Sequence, residues 1–383
     1  MKALPFLISP LFLAAALCGC GGRQPDAAPA AADSVPPAAP DSVTPDSAAA
    51  DSATRELTLA LTGDIMLGTL FPTPTLAPDS GRHVFDDVRE LLVSADIAAG
   101  NLEGVLADTG TSRKNPESEF AYAFLMPTYL GRELRRADYD FVGIANNHIY
   151  DFYADGIVRT ERALKALGIG FAGARVPGSS RPPVETYVCE RGGVRFGFCA
   201  FCHERYTQRM QDEASVRRIL RNLRAQCDIL VVCFHGGAEG KTESHLPEGT
   251  EYFQGDDRGN LRHFAHLCVD NGADVVYGHG PHVLRAMECY KGRLIAYSLG
   301  NFCTVAGISL SGISGYAPLL RIRVSERGEF LGGRIHSFLQ QRLRGPRRDP
   351  AHHAAREIRD LTRQDIPAAG LVISADGEIT PQR

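Results

Sequence analysis

The chain has 383 residues, 44% hydrophobic and 22% charged, an ordinary globular composition with enough length for one large core or two small ones. Lys and Arg total 41 against 45 Asp and Glu, giving a formal charge of −4. That balance lacks the basic excess that nucleic-acid binding uses, so no nucleic-acid partner is expected.

The chain opens with Met1, Lys2 and an apolar stretch that ends in small residues. The stretch falls short of the roughly 20 residues a bilayer-spanning helix needs. Residues 1–19 are therefore expected to be a secretory signal peptide. Leu17-Cys18-Gly19-Cys20 resembles a bacterial lipobox, which implies cleavage before Cys20 and acylation of its thiol, with a transmembrane anchor as the alternative. A lipid-anchored protein of the cell envelope follows. In a Gram-negative cell the outer membrane is favoured, because Gly21 rather than Asp comes next. Residues 20–56 are dominated by Pro, Ala, Ser and Asp, with Asp-Ser recurring from Asp33, Asp41, Asp46 and Asp51. So little apolar bulk cannot offset the entropy of ordering, and a disordered tether is predicted.

From Leu57 onward, short apolar runs end abruptly in Gly or polar residues: LTLALTG, YDFVGIA, VRFGFCAFC, CDILVVCF, GADVVYG and RLIAYSLG. They read as buried strands. Between them, DGIVRTERALKALG carries a cap candidate at Asp155 and a stop at Gly168. In SVRRILRNLRAQ, Val216, Ile219, Leu220 and Leu223 share one helical face. The alternation predicts one α/β domain over 57–340, closing with the hairpin-like PLLRIRVSERGEFLGGRIHSF. Residues 341–383 are expected to form a C-terminal helix and tail.

Polar residues gather just past the strand ends. In chain order these are Asp64; Asn101 and Glu103; Asn146, Asn147, His148 and Asp151; His235 and Glu239; His279 and His282; then Ser298 and Asn301. Ligands of open α/β sheets collect at carboxyl strand ends. Carboxylates, amides and imidazoles on one rim suit borderline divalent ions such as Mn²⁺, Zn²⁺ or Fe²⁺. One or two ions are expected; a pair ~3.5–4 Å apart can clamp a phosphoryl group. A lone histidine after a strand is more often structural, but GHGPH places two imidazoles on one Pro-stiffened turn. Ser298 and Asn301 either line the pocket or shape the turn.

In this order GDIML, GNLEG, ANNHIYDF, FHGGAE, GADVVYGHGPHVL and IAYSLGNF resemble the motifs of the bacterial capsule-synthesis CapA family, whose namesake serves poly-γ-glutamate synthesis and export. That family is similar in turn to calcineurin-like metallophosphoesterases. The resemblance covers about residues 57–302 and implies a four-layer α/β/β/α sandwich with a two-metal centre. It implies metal ligands at Asp64, Glu103, Asn147, His235, His279 and His282, with His148 as the catalytic residue that assists the leaving group. Asn101, Asn146, Asp151, Glu239, Ser298 and Asn301 would line the pocket. Three departures stand out: Met66 replaces a ligand histidine, Glu103 replaces an aspartate, and two residues rather than one separate His279 from His282. Gly236 stands where an aromatic residue is frequent in the branch and is expected to leave that wall open.

Cys199, Cys202 and His203 invite a redox or metal reading, but their apolar strand suits buried thiols better. Arg342, Arg344, Arg347 and Arg348 suit a solvated basic surface, with a polyanion contact as the alternative. Two functions are compatible with this sequence. One is a metal-dependent hydrolase of phosphoester or related bonds in an anionic cell-surface polymer. The other is a non-catalytic factor that binds the polymer or its synthesis machinery.

Overall fold

The computed structural model describes residues 55–117 and 122–382. The expected signal peptide, Cys20 and nearly all of the tether lie outside the described residues.

Two sheets organise the domain. The first has ten strands: β1 (Glu56–Met66), β2 (Ile97–Leu102), β3 (Phe141–Gly143), β4 (Gly170–Ala172), β13 (Asn301–Thr304), β14 (Tyr316–Ser325), β15 (Phe330–Gln341), β16 (Gly345–Arg348), β17 (Leu371–Ile373) and β18 (Glu378–Pro381). Its order is β17-β18-β15-β14-β1-β2-β3-β4, with β13 beside the end of β1 and β16 beside β15. The second sheet holds β5 (Thr186–Arg191), β6 (Val194–Cys202), β7 (Ile229–His235), β10 (Val275–His279), β11 (Met287–Tyr290) and β12 (Arg293–Ala296), in the order β11-β12-β10-β7-β6-β5. A separate hairpin, β8 (Glu251–Phe253) and β9 (Asp256–Gly259), is inserted after β7.

The sheets pack face to face. Leu57, Leu59 and Leu61 of β1, Ile97 and Ala99 of β2, and Phe141 of β3 share a core with the second sheet. Phe141 stacks on Phe198 of β6, ring centroids 4.7 Å apart. Residues of opposite parity, Ala60, Ala98 and Val142, point the other way into a second core. That core includes Leu92 of α1 (Arg89–Val93), Leu134 of α2 (Gly131–Arg136) and Leu164 of α3 (Tyr153–Leu167). On the far side, α4 (Glu213–Arg224) and α5 (Leu261–Asp270) cover the second sheet. The layers are therefore α/β/β/α. Covering both faces is why β7 reads as an unbroken apolar run, every residue of it buried.

The helices follow from local chemistry. Asp212 caps α4 by accepting from Ser215 N at 3.1 Å, and Val216, Ile219, Leu220 and Leu223 form its buried face. Each such residue contributes about 1.5–3 kcal/mol of transfer free energy as an upper bound. Gly168 ends α3 in the left-handed region at φ 69°. That helix starts at Tyr153, before the expected cap: Asp155 lies inside the first turn and bonds Arg159 at 2.6 Å.

Residue 340 is not a structural break. β15 runs to Gln341, and β16, β17 and β18 extend the same sheet. Helix α6 (His353–Asp365) packs on β14, β15 and β11. Thr362 Oγ1 accepts from Met287 N of the second sheet at 3.0 Å, so the helix ties the two sheets together. No helix among the described residues is long and apolar enough to cross a membrane.

Candidate metal centre and its cavity

The carboxyl ends of β1, β2, β3, β7, β10 and β12 point to one rim. Asp64 and Glu103, the latter one residue beyond β2, are both fully buried. One ligand atom from each of Asp64, Glu103 and His282 lies within 4.8 Å of the others. His282 Nδ1 is 3.2 Å from Asp64 Oδ2, and its Nε2 is 3.6 Å from Glu103 Oε1. His235 Nδ1 stands 3.9 Å from Asp64 Oδ1. Asn147 reaches the same space from the loop after β3 and donates to Glu239 Oε1 at 3.2 Å.

The hydrogen-bond ledger of this cluster is incomplete. Asp64 Oδ2, both Glu103 oxygens, Asn147 Oδ1 and His235 Nε2 are buried without a hydrogen-bond partner among the described residues. An unpaired buried polar atom costs about 1–3 kcal/mol, more when charged. Five lone-pair atoms of metal-ligating type, orphaned together, are the donor set a divalent ion would complete. The residues present therefore fit a metal at Asp64, Glu103, Asn147, His235 and His282.

Electrostatics agree. Burial, then the charge of Asp64, pushes Glu103 well above the usual carboxylate range. Burial would lower His282, but Glu103 and Asp64 outweigh it and push it up to about 10. Each of these two groups favours the charged form of the other. His235 is held well below its ordinary value by burial and by the Arg258 guanidinium.

His279 does not join the cluster, contrary to the resemblance. Its Nε2 lies 3.0 Å from the Thr62 carbonyl of β1, and its Nδ1 lies 3.2 Å from the Phe234 carbonyl of β7. Both ring nitrogens thus face backbone carbonyls of the two sheets rather than the cluster, and whichever carries the ring proton donates it there. His279 is a bolt between the two sheets. The turn reverses direction at Gly280, φ 119°, and His282 itself sits at φ 58°, a backbone region a non-glycine residue occupies only when its surroundings impose it.

Around the cluster, the amides act as braces. Asn101 donates to Asp64 Oδ1 at 2.8 Å, and Asn146 donates to Asn101 Oδ1 at 3.2 Å. Asn301 Oδ1 meets His282 Nδ1 at 3.0 Å while its amide donates to the His282 carbonyl at 3.2 Å. Ser298 shapes the turn, donating to Val283 O at 2.7 Å and accepting from Gly300 N at 3.1 Å. His148 Nδ1 bonds Asp151 Oδ2 at 2.8 Å, and its Nε2 points towards Glu103 at 3.8 Å. Phe124 packs on the His148 ring with centroids 4.1 Å apart. Asp151 also pairs with Lys114 Nζ at 2.9 Å.

These groups open on a cavity of about 430 Å³. Besides Asn147, His148, Glu239 and His282 it is lined by residues without a motif, among them Arg113, Lys114, Phe124, Phe253 and Arg258. Gly236 does not open this wall as expected. A Cβ there would meet the Arg258 carbonyl and the Met210 side chain at 2.8 Å, so its bareness lets the β8–β9 hairpin seat directly on the strand end. Gly237 N then donates to Arg258 O at 2.9 Å. Met66, expected as a departure from a ligand histidine, is buried in the outer core. Cys199 and Cys202 are buried free thiols, and burial pushes Cys202 up to about 12. Arg342 and Arg344 are exposed, whereas Arg347 and Arg348 tie β16 to the loop before α1 through His83 O and Asp87.

Among proteins of known sequence, the chain is 28% identical to Uncharacterized protein y4sH of Sinorhizobium fredii over 305 residues, 62% of this chain and 65% of that one. It is 26% identical to Capsule biosynthesis protein CapA of Bacillus anthracis over 265 residues, 65% of this chain and 60% of that one. The matched part thus falls just short of two thirds of either relative. Among solved structures, the calcineurin-like phosphoesterase YfkN from Bacillus subtilis aligns at 12% identity and a TM-score of 0.44, covering 82% of this chain and 98% of that one. The family described as Bacterial capsule synthesis protein PGA_cap matches residues 58–305, a stretch that takes in every strand end described above. With that match over most of its length, the chain belongs to the bacterial capsule synthesis protein PGA_cap family.

Proposed function

We propose that this protein is a metal-dependent hydrolase that cleaves a phosphoester or related bond in an anionic cell-surface polymer. It would serve capsule or poly-γ-glutamate synthesis or export at the cell envelope, beside the synthesis machinery. The observation that carries this is the group of five buried ligand atoms on Asp64, Glu103, Asn147 and His235 that have no partner among the described residues, with His282 beside Asp64 and Glu103. One or two divalent ions, Mn²⁺, Zn²⁺ or Fe²⁺, would supply Lewis acidity towards a substrate oxygen and make water more acidic.

The chain's own residues do the rest. Asp151 accepts the Nδ1 proton of His148, which fixes the ring and aims Nε2 at the cavity. Burial pushes His148 below its ordinary value, so its protonated form gives up a proton readily to a leaving oxygen. Phe124 covers one ring face and keeps water from it. Lipid anchoring through Cys20 would hold the domain at the membrane, with the outer membrane favoured in a Gram-negative cell. Met66 supports the competing reading, a non-catalytic factor that binds polymer or synthesis machinery, because it stands where the resemblance to metallophosphoesterases implies a ligand histidine.

Metal content and turnover on phosphoester and γ-glutamyl substrates separate the two. His148→Ala should lower turnover by about 10²–10⁴-fold with metal content unchanged. A metal-loaded protein inert on the whole panel, whose His148→Ala form still loses polymer display in cells, would establish the binding factor instead.

A further inference from the structure

The β8–β9 hairpin brings a buried arginine to the cavity, and no motif accounts for it. Arg258 is 4% exposed. Its Nε donates to Gly237 O at 3.0 Å and its Nη2 to Glu239 Oε1 at 2.6 Å. Nη1 has no hydrogen-bond partner among the described residues, and the side chain lines the cavity. A single carboxylate cannot occupy the whole donor fork of a guanidinium.

The placement is rigid. The guanidinium carbon lies 5.7 Å from the centre of the Phe253 ring, on the facing strand of the hairpin. The hairpin base is clamped by Glu251, which accepts both Arg285 Nη1 and Nη2, at 2.8 and 2.7 Å, and Ala238 N at 2.9 Å. Glu239, gripping Arg258 with one oxygen, also accepts from Asn147 of the candidate metal centre. One spare, preorganised, charge-assisted donor therefore stands next to the cluster where bond cleavage is proposed.

We propose that Arg258 is the anion-recognising residue of this cavity, taking a phosphate or carboxylate oxygen of the substrate on Nη1 while Glu239 holds the other side of its fork. This rests on reading the cavity as the substrate site. It adds the requirement that the substrate carry an oxyanion within reach of the reacting bond. Oxyanion recognition by a planar fork is geometric as well as electrostatic, so lysine replaces it only in part.

The test is calorimetric titration of purified, chelator-treated full-length protein with inorganic phosphate and, separately, with glutarate. Arg258→Gln should weaken binding of the preferred anion by about 10- to 100-fold, and Arg258→Lys should weaken it less. Arg344→Gln, on the exposed surface away from the cavity, should bind as wild type does. The proposal is overturned if folded Arg258→Gln binds as wild type does, if Arg344→Gln loses as much as Arg258→Gln, or if wild type binds neither probe. Should Arg258→Gln not fold, unchanged affinity in Arg258→Lys overturns it. The phosphate and glutarate arms tell which oxyanion is preferred. Because the protein is metal-free, failure of the hydrolase reading, seen as absent turnover in metal-loaded protein, leaves this result independent.

Discussion

The floor and the hairpin wall of the cavity are both buried and both charged, yet they are held in opposite ways. On the floor, Asp64, Glu103, Asn147 and His235 present atoms with no partner among the described residues. In the wall, Glu251 meets Arg285 through two bonds and a backbone amide, and Arg258 meets Glu239 and Gly237. A satisfied network rigidifies, whereas an unsatisfied one stores free energy that a ligand can release. The wall is therefore chiefly scaffold, with one spare donor on Arg258, and the floor is the place where a metal has most to gain.

The contrast breaks most readily at Glu251. Glu251→Ala leaves the fully buried Arg285 uncompensated and should cost about 3–5 kcal/mol in denaturant unfolding. A loss below about 1 kcal/mol would mean that the wall is not held by this pair. The two histidines of the GHGPH turn sharpen the contrast within five residues. His279→Leu should cost about 1–3 kcal/mol by stranding a buried carbonyl, with metal content equal to wild type. His282→Ala should cut metal content instead; metal loss in His279→Leu would return that residue to the floor. The smallest effect is protonic. His282 in the metal-free protein is held up to about 10, so it is charged near neutrality and must lose its proton to ligate. Metal titration near pH 7.5 in buffers of different ionisation enthalpy should report release of at least about one proton per ion, the one on His282. Affinity should rise with pH towards 10, and a pH-independent affinity would place the metal away from His282.

Much of the floor was legible from sequence because strands covered on both faces write themselves as apolar runs, and the polar residue after each run falls on one rim. β7 ending at His235 and β1 reaching Asp64 are of this kind. His279 was not legible. It shares a turn and a residue type with His282, and only the backbone reversal at Gly280 sends the two rings to different partners. The wall was missed for another reason. Arg258 follows Gln254-Gly255, a two-residue turn with both residues at positive φ, as tight hairpins require. That turn signal was there to be read, but where a hairpin docks depends on Gly236 yielding space to a backbone carbonyl. Asp155 shows a milder limit, since an acidic first-turn residue and a cap look alike in one dimension.

Strand β1 carries a consequence for how the molecule is made. Along Glu56–Thr62 it pairs with β14, and its tip at Asp64 pairs with Asn301 of β13, while Asp64 N donates to Gly300 O at 2.8 Å. One edge of the first strand of the domain is thus filled by partners from far along the chain, while β2 takes the other. Closing so long a loop is entropically costly and slow. A nascent chain that has not yet delivered residue 325 has β1 unpaired along one whole edge, an adhesive surface for other chains. A fragment cut at residue 305, where the family match stops, would keep β13 but lose β14. It should be aggregation-prone even though every motif is present.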